Sequence, residues 1–262
     1  MLQIVNPVVV GGGVAVTMFF GIMIALISGR RVGQRAIARD GATLANVSSL
    51  EAAVFALLGL LIAFTFSGAL SRFDARRAQA VDEANAIGTA YLRIDLLPSS
   101  AQQPLRDTLK SYVDARIATY RALPDIAASR AHLQRSQEIQ SELWSRAVTA
   151  VHLPETRPGT NVLLIPALNQ MFDISSTRIA ATQIHPPLVI YAMLVGLALA
   201  SGLLAGYQTA GERGYDWLHK IGFAGVVAFT VYVILDLEYP RLGFIRLDAI
   251  DALLVDVRAG MR

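Results

Sequence analysis

A few ionisable side chains lie next to long apolar stretches of this chain. Glu51 and Arg72 flank a stretch without charge, and Asp236 and Glu238 end another. Ionisable residues at membrane depth are functional candidates by default, because an unpaired charge is costly in lipid. Glu51, Arg72, Asp236 and Glu238 are therefore the first candidates for a functional site.

Each acid also has a simpler structural role. Ser48 and Glu51 form an S-x-x-E capping box, in which the glutamate binds backbone amides at a helix start. We favour this role over ion binding for Glu51. Asp236 is either a functional group or the partner of Arg178 or Arg241 in a structural ion pair.

The residue types needed for catalysis or metal binding are scarce. The chain has no cysteine, and none of its 4 histidines lies at helical metal-ligand spacing from another. No Ser/His/Asp set, phosphate loop or dinucleotide fingerprint is present. We therefore predict neither an enzyme nor a bound metal or cofactor.

Composition indicates the element that must position these groups. The chain is 54% hydrophobic and only 16% charged, which is typical of a membrane protein. The formal net charge of +3 is mild and gives no basic stripe for nucleic acid. Four stretches have no charged side chain and are long enough, or nearly long enough, to span a bilayer. They are residues 7–27, 52–71, 186–211 and 221–235. Basic residues follow the first stretch rather than precede it, which favours a retained helix over a signal peptide.

The second stretch predicts the central element, one helix from about Val47 to Leu96 that lies half in lipid and half in water. Ala84, Ile87 and Ile94 continue the helical spacing beyond the apolar run, and no proline lies between Pro7 and Pro98. The charges just past the run are interfacial anchors or a positive vestibule that favours anions; they are Arg72, Asp74, Arg76 and Arg77. Asp74 and Glu83 oppose such a preference.

The remaining periodicity predicts an all-α membrane protein with four spans. Residues 1–71 hold the first two transmembrane helices, 72–185 form a helical extramembrane region, and 186–262 hold the last two with an amphipathic tail. Helices in the extramembrane region are expected at 102–122, 127–152 and 160–184, with interruptions near prolines that include Pro104. Ala198, Gly202 and Gly206 are spaced for close helix approach. Basic residues tie between the two sides, so charge counting gives no orientation.

Two segments resemble bacterial bestrophins. One is F-A-L-L-G-L-L-I-A-F at 55–64 followed by F-D-A-R-R at 73–77, and the other runs from Asp236 to the L-D-A-I at 247–250. The whole chain is more similar to a bacterial bestrophin-like family of unassigned function, whose hallmark is E-A-N-A-I-G-T-A-Y-L-R, here 83–93. The resemblance implies a pentamer in the bacterial inner membrane with cytoplasmic termini, and an ion pore lined by the second helix.

Leu58, Ile62 and Phe66 lie on one stripe of that helix. The resemblance aligns them with the apolar neck of a pore, whereas ordinary helix packing is the alternative. The acidic run that binds calcium in animal bestrophins is absent. The partners implied are lipid, small inorganic ions and further copies of the chain. The alternative function is a non-conducting scaffold or sensor whose 72–185 helices bind a partner.

Overall fold

The computed structural model describes residues 7–40, 48–211, 217–240 and 244–261. Within these ranges the chain forms α-helices and short 3₁₀ turns and no β-strand, which confirms the all-α prediction. The α-helices are α1 (Pro7–Asp40), α2 (Ser48–Arg93), α3 (Ser99–Arg121), α4 (Ile126–Val151), α5 (Thr160–Ala181), α6 (Leu188–Gln208), α7 (Trp217–Glu238) and α8 (Asp248–Gly260).

The central helix α2 is continuous over 46 residues and is followed by a 3₁₀ turn at Ile94–Leu96. At ~1.5 Å per residue it is ~69 Å long, more than twice the ~30 Å of bilayer hydrocarbon. Only part of α2 can therefore lie in lipid, and the uncharged residues 52–71 are that part. The helix has no break at Ser71, as predicted, while Val47 lies outside the described residues.

Among the described residues, four helices are long and apolar enough to cross a membrane, the number predicted from the sequence. They are Gly11–Arg39, Ser48–Leu96, Leu188–Gly211 and Trp217–Glu238. The fourth is longer than the predicted 221–235. Its helix continues through flanking polar residues at both ends, which brings its length to ~33 Å.

The chain divides into two compact units. The first contains Met1–Arg72 and His185–Tyr239. In it α1 packs on α6 and α7. Its apolar core combines side chains of all four spanning helices: Met18, Ile22, Leu26, Leu58, Leu194, Ala198, Ala224, Val227 and Val231.

Glycines bring α1 and α6 unusually close. A Cβ atom built on Gly29 would lie 1.9 Å from the carbonyl oxygen of Leu203, and one built on Gly206 would lie 2.0 Å from that of Leu26. No side chain fits against backbone at these distances, so only glycine permits the contact. The close approach predicted from the small-residue spacing that includes Gly206 is confirmed.

The second unit contains Phe73–Ile184 and Pro240–Arg262. Here α3 packs on α4 and α8, and α4 packs on α5. The sequence predicts that the tail forms one segment with the third and fourth spans, 186–262. The structure instead assigns residues 240–262 to this unit, because Leu254 and Met261 are buried in its core.

Pro104 does not interrupt the chain as expected but lies inside α3, which begins at Ser99 rather than at residue 102. Proline in the second turn removes one early backbone hydrogen bond and leaves the rest of the helix intact. The side-chain amide of Gln102 donates to the carbonyl oxygen of Leu97 at 2.8 Å, which satisfies an acceptor just before the helix.

Candidate functional site

The three residues predicted to form a pore neck differ in exposure. Leu58 is buried at 3% exposure in the core of the first unit, Ile62 is half-buried against that core, and Phe66 is 37% exposed. These side chains therefore do not form one uniformly exposed stripe in a single chain. Their role as a neck remains a prediction about an assembly.

Another side of the same helix is open along the spanning part. Leu57, Leu60 and Phe64 are 49%, 52% and 68% exposed. Small exposed residues alternate with them: Ala56, Gly59, Ala63 and Ser67. This side combines an apolar surface with positions at which another helix can approach closely.

Arg72, the first charge after the spanning part of α2, is engaged by Glu238 at the end of α7. Its Nε donates to Glu238 Oε1 at 2.8 Å, and its Nη2 contacts the same oxygen. The Glu238 side chain is fully buried, and its Oε2 lies 3.4 Å from His185 Nδ1. The His185 ring stacks on Tyr239. Two residues predicted as separate site groups thus form one ion pair.

The other vestibule charges are also occupied. Arg76 is 6% exposed and donates to the carbonyl oxygens of Ala181, the last residue of α5, and of Ile184, three residues beyond it, each at 3.2 Å. This cation satisfies carbonyls that a helix terminus leaves without partners. Arg77 and Asp74 pair with each other on the exposed surface at 3.4 Å.

The two remaining predicted acids lie at helix ends. Glu51 is half-buried in the first turn of α2, where the positive end of the helix dipole favours a carboxylate. Asp236 is 7% exposed in the last turn of α7. Arg178, one of its two suggested partners, binds other acids, and Arg241 lies outside the described residues.

The most enclosed charged group in the described part of the chain centres on Glu83 of α2. Arg116 of α3 donates from Nε to Glu83 Oε1 at 2.7 Å, and Arg178 of α5 donates from Nη1 to Glu83 Oε2 at 2.5 Å. Glu83 and Arg116 are 0% exposed and Arg178 is 4% exposed. Each carboxylate oxygen therefore has its own guanidinium.

Tyr120 of α3 and Asp251 of α8 complete this group. The Tyr120 ring lies 4.1 Å from Arg178 Cζ, and its hydroxyl accepts from Arg116 Nη2 at 2.5 Å. Arg178 donates from Nη2 to Asp251 Oδ1 at 2.5 Å. Two guanidinium groups thus face two carboxylates, so the formal charges cancel. We call these five residues the Glu83 cluster.

The environment of the Glu83 cluster keeps its cations charged. Burial opposes the charged form of Arg116, but Tyr120 and Glu83 outweigh it and raise the pKa of Arg116. The balance is the same for Arg178, whose pKa is also raised. Burial raises the pKa of the neighbouring Tyr112 hydroxyl to about 12. Neither guanidinium can act as a proton donor near neutral pH, so the arrangement holds helices together rather than performing acid–base chemistry.

A family model described as the bestrophin-like domain matches residues 16–249. The chain belongs to the bestrophin-like family. This family is related to the bestrophin channels, and together with the four apolar helices it makes the chain a membrane protein. No curated protein and no solved structure matches the chain.

In this bestrophin-like protein the Glu83 cluster was missed from the sequence as a site. A signal was present, because Glu83 opens the segment 83–93 and shares a helix face with Ile87 and Ile94, both 0% exposed. A carboxylate on the buried face of a helix demands a cation. Which arginines supply it does not follow from helical periodicity.

The acids Asp236 and Glu238 lie in the last turn of α7, in the described part of the bestrophin-like chain. No group of three or more His, Asp or Glu side chains there is arranged to hold a metal ion. Glu238 already pairs with Arg72.

Proposed function

We propose that this bestrophin-like protein assembles into a homopentamer and conducts small inorganic ions along an axis lined by α2. The open side of α2 is the observation that supports this proposal best. Large apolar side chains there are 49–68% exposed, next to small residues that allow copies of the helix to approach. Membership of a family related to bestrophin channels points the same way.

The charges beyond the spanning part bear on ion selection. Arg72 and Arg76 are held by Glu238 and by the α5 carbonyls, so they do not supply a free positive ring. Exposed charges on the three turns of α2 after Arg72 are Asp74, Arg77 and Asp82. One cation against two anions gives no anion preference from this stretch, so we propose no sign for the conducted ion.

Oligomeric state and conduction are tested together on protein purified in mild detergent. We expect the mass of five copies, and ion currents after reconstitution into planar bilayers that protein-free bilayers lack. A monomer would remove the axial path. An assembled protein that passes no current would favour the alternative, a scaffold or sensor whose 72–185 helices bind a partner.

The neck is tested by two matched triple variants of α2. If the predicted ring is correct, replacing Leu58, Ile62 and Phe66 by Ala increases the current, because an apolar constriction resists hydrated ions. Replacing Leu57, Leu60 and Phe64 by Ala removes as many side chains from the same helix. An effect confined to this second set would move the neck to the open side of α2. Both variants must retain the oligomeric mass of the parent protein.

For orientation we propose that both termini and residues 72–185 lie in the cytoplasm of a bacterium, with the four spans in its inner membrane. The resemblance to bestrophins supports this topology, while the basic residues do not decide it. Reporter fusions at Gly41 and Arg262 test it. Periplasmic activity of the Arg262 fusion would reverse the assignment.

A further inference from the structure

Helix α8 is attached to the second unit by charges and by a small apolar face. Arg258 of α8 binds both carboxylate oxygens of Asp114 on α3, at 2.8 and 3.0 Å. Asp251 accepts from Arg178 on α5. Leu254 is 1% exposed in the core. A helix of 13 residues is marginal in water by itself, so its order depends on these contacts.

Arg178 connects this short helix to the long central one. One arm of its guanidinium binds Asp251 of α8, and the other binds Glu83 of α2. The rigid planar fork fixes the two carboxylates relative to each other. Movement of Asp251 therefore changes the charge seen by Glu83.

The balance of buried charges stabilises the contacts by which Arg178 joins Asp251 of α8 to Glu83 of α2. With α8 docked, Arg116 and Arg178 face Glu83 and Asp251, and the buried charges cancel. Without Asp251, two guanidinium groups share one carboxylate, and a net positive charge remains in a buried site. Such a charge is unfavourable without a partner, so the site must admit water or rearrange around Glu83.

We propose that α8 is a docking latch that controls the rigidity of α2 around Glu83 through the Asp251–Arg178–Glu83 contacts. Docked α8 holds α2 in the arrangement described above, and undocked α8 loosens it. Coupling between two elements is reciprocal, so a change of α2 near Glu83 also alters the docking of α8. This inference does not depend on ion conduction.

Asp251→Asn tests the latch with Asp256→Asn as its matched control. Asp256 is exposed and lies on the same helix, and its substitution removes the same charge. Hydrogen–deuterium exchange is measured on the full chain in detergent. We expect Asp251→Asn to accelerate exchange about tenfold or more in α8 and also in the 80–93 part of α2, since a charged hydrogen bond is lost from a buried site. Asp256→Asn should change neither segment.

Faster exchange in α8 alone would overturn the proposal, because Asp251 would then hold only its own helix. If Asp251→Asn does not fold, the wild-type protein provides the test. Its hydrogen exchange is followed at increasing denaturant concentrations below the unfolding transition. We expect the exchange rates of α8 and of the 80–93 segment to depend on denaturant concentration in the same way. Separate dependences for the two segments would reject the latch.

Discussion

Arg72 and Glu238 form an ion pair although 166 positions separate them in the chain. The pair joins the end of the spanning part of α2 to the end of α7 within the first unit. The carboxylate is fully buried and the guanidinium is 30% exposed. Burial of the acid makes its cationic partner important for stability.

Glu238→Gln should therefore destabilise the protein by about 1–3 kcal/mol, the usual range for a lost charged hydrogen bond. Asp74→Asn is the control, because it breaks an ion pair on α2, the helix of Arg72, whose side chains are 51% and 58% exposed. Exposed pairs contribute ~0–1 kcal/mol. Unfolding in detergent by denaturant measures both. Equal effects of the two variants would contradict the structural role of Glu238.

Substitution of the contact glycines should separate α1 from α6. Gly206→Ala places a Cβ against the backbone of Leu26, and we expect a loss of about 3 kcal/mol or more, at the upper end of overpacking costs. Gly196→Ala on the same helix meets nothing within 4 Å and should leave stability unchanged or slightly higher. Thermal unfolding of the two variants compares them directly. A Gly206→Ala protein as stable as Gly196→Ala would show that the helices are farther apart than described.

Removal of the charge at the centre of the Glu83 cluster should lower the free energy of unfolding more than loss of the Arg72–Glu238 pair does. Glu83→Gln leaves two buried guanidinium groups with too little negative charge, and breaking a buried pair costs about 3–5 kcal/mol. Asp82→Asn changes the adjacent residue, which is exposed, and should stay within ~0.5 kcal/mol of the parent. The denaturant midpoints of the two variants and of the parent are compared, provided that their m-values are the same. A small effect of Glu83→Gln would mean that the arginines find other partners.

The Tyr112 hydroxyl should make stability depend on alkaline pH. Burial raises the pKa of Tyr112 to about 12 in the folded chain, against about 10 for an ordinary phenol. The folded state thus favours the protonated form. Its contribution is complete below about pH 10 and is lost as pH rises through about 12.

Tyr112→Phe removes this group and serves as the control. The unfolding free energy of the parent should fall more steeply than that of the variant between about pH 10 and about pH 12. Tyrosinate absorbance should show one late-titrating group that the variant lacks. Identical pH dependence of the two proteins would contradict the burial of Tyr112.

The fold could be predicted from the sequence because each helix is specified by its own local pattern of residues. Uncharged length located the four spans, and the lack of proline from Pro7 to Pro98 predicted an unbroken α2. The small-residue spacing at Gly206 correctly indicated a close contact. The assignment of the tail to the second unit was not predicted, because an amphipathic face shows that a helix packs but not against which partner.

The candidate site was harder to predict, because helical periodicity does not identify which distant residues a side chain contacts. Arg116 and Arg178 lie 33 and 95 positions from Glu83, and nothing in a helical repeat selects them among the arginines of the chain. Arg72 was recognised as a boundary charge, but its pairing with Glu238 depends on how distant helices meet. Exposure on each side of α2 likewise follows from packing and could not be obtained from the stripe of Leu58, Ile62 and Phe66.

The glycine contact between α1 and α6 also constrains the order of biogenesis. Gly29 emerges from the ribosome long before Leu203, and the second unit's residues 73–184 are made in between. At roughly 5–20 residues per second, the first span waits on the order of ten seconds or more for the helix it fits. Until then its glycine face is exposed to lipid or to other proteins of the insertion machinery. Substitution of Gly29 should therefore reduce the yield of inserted protein as well as the stability of the finished molecule.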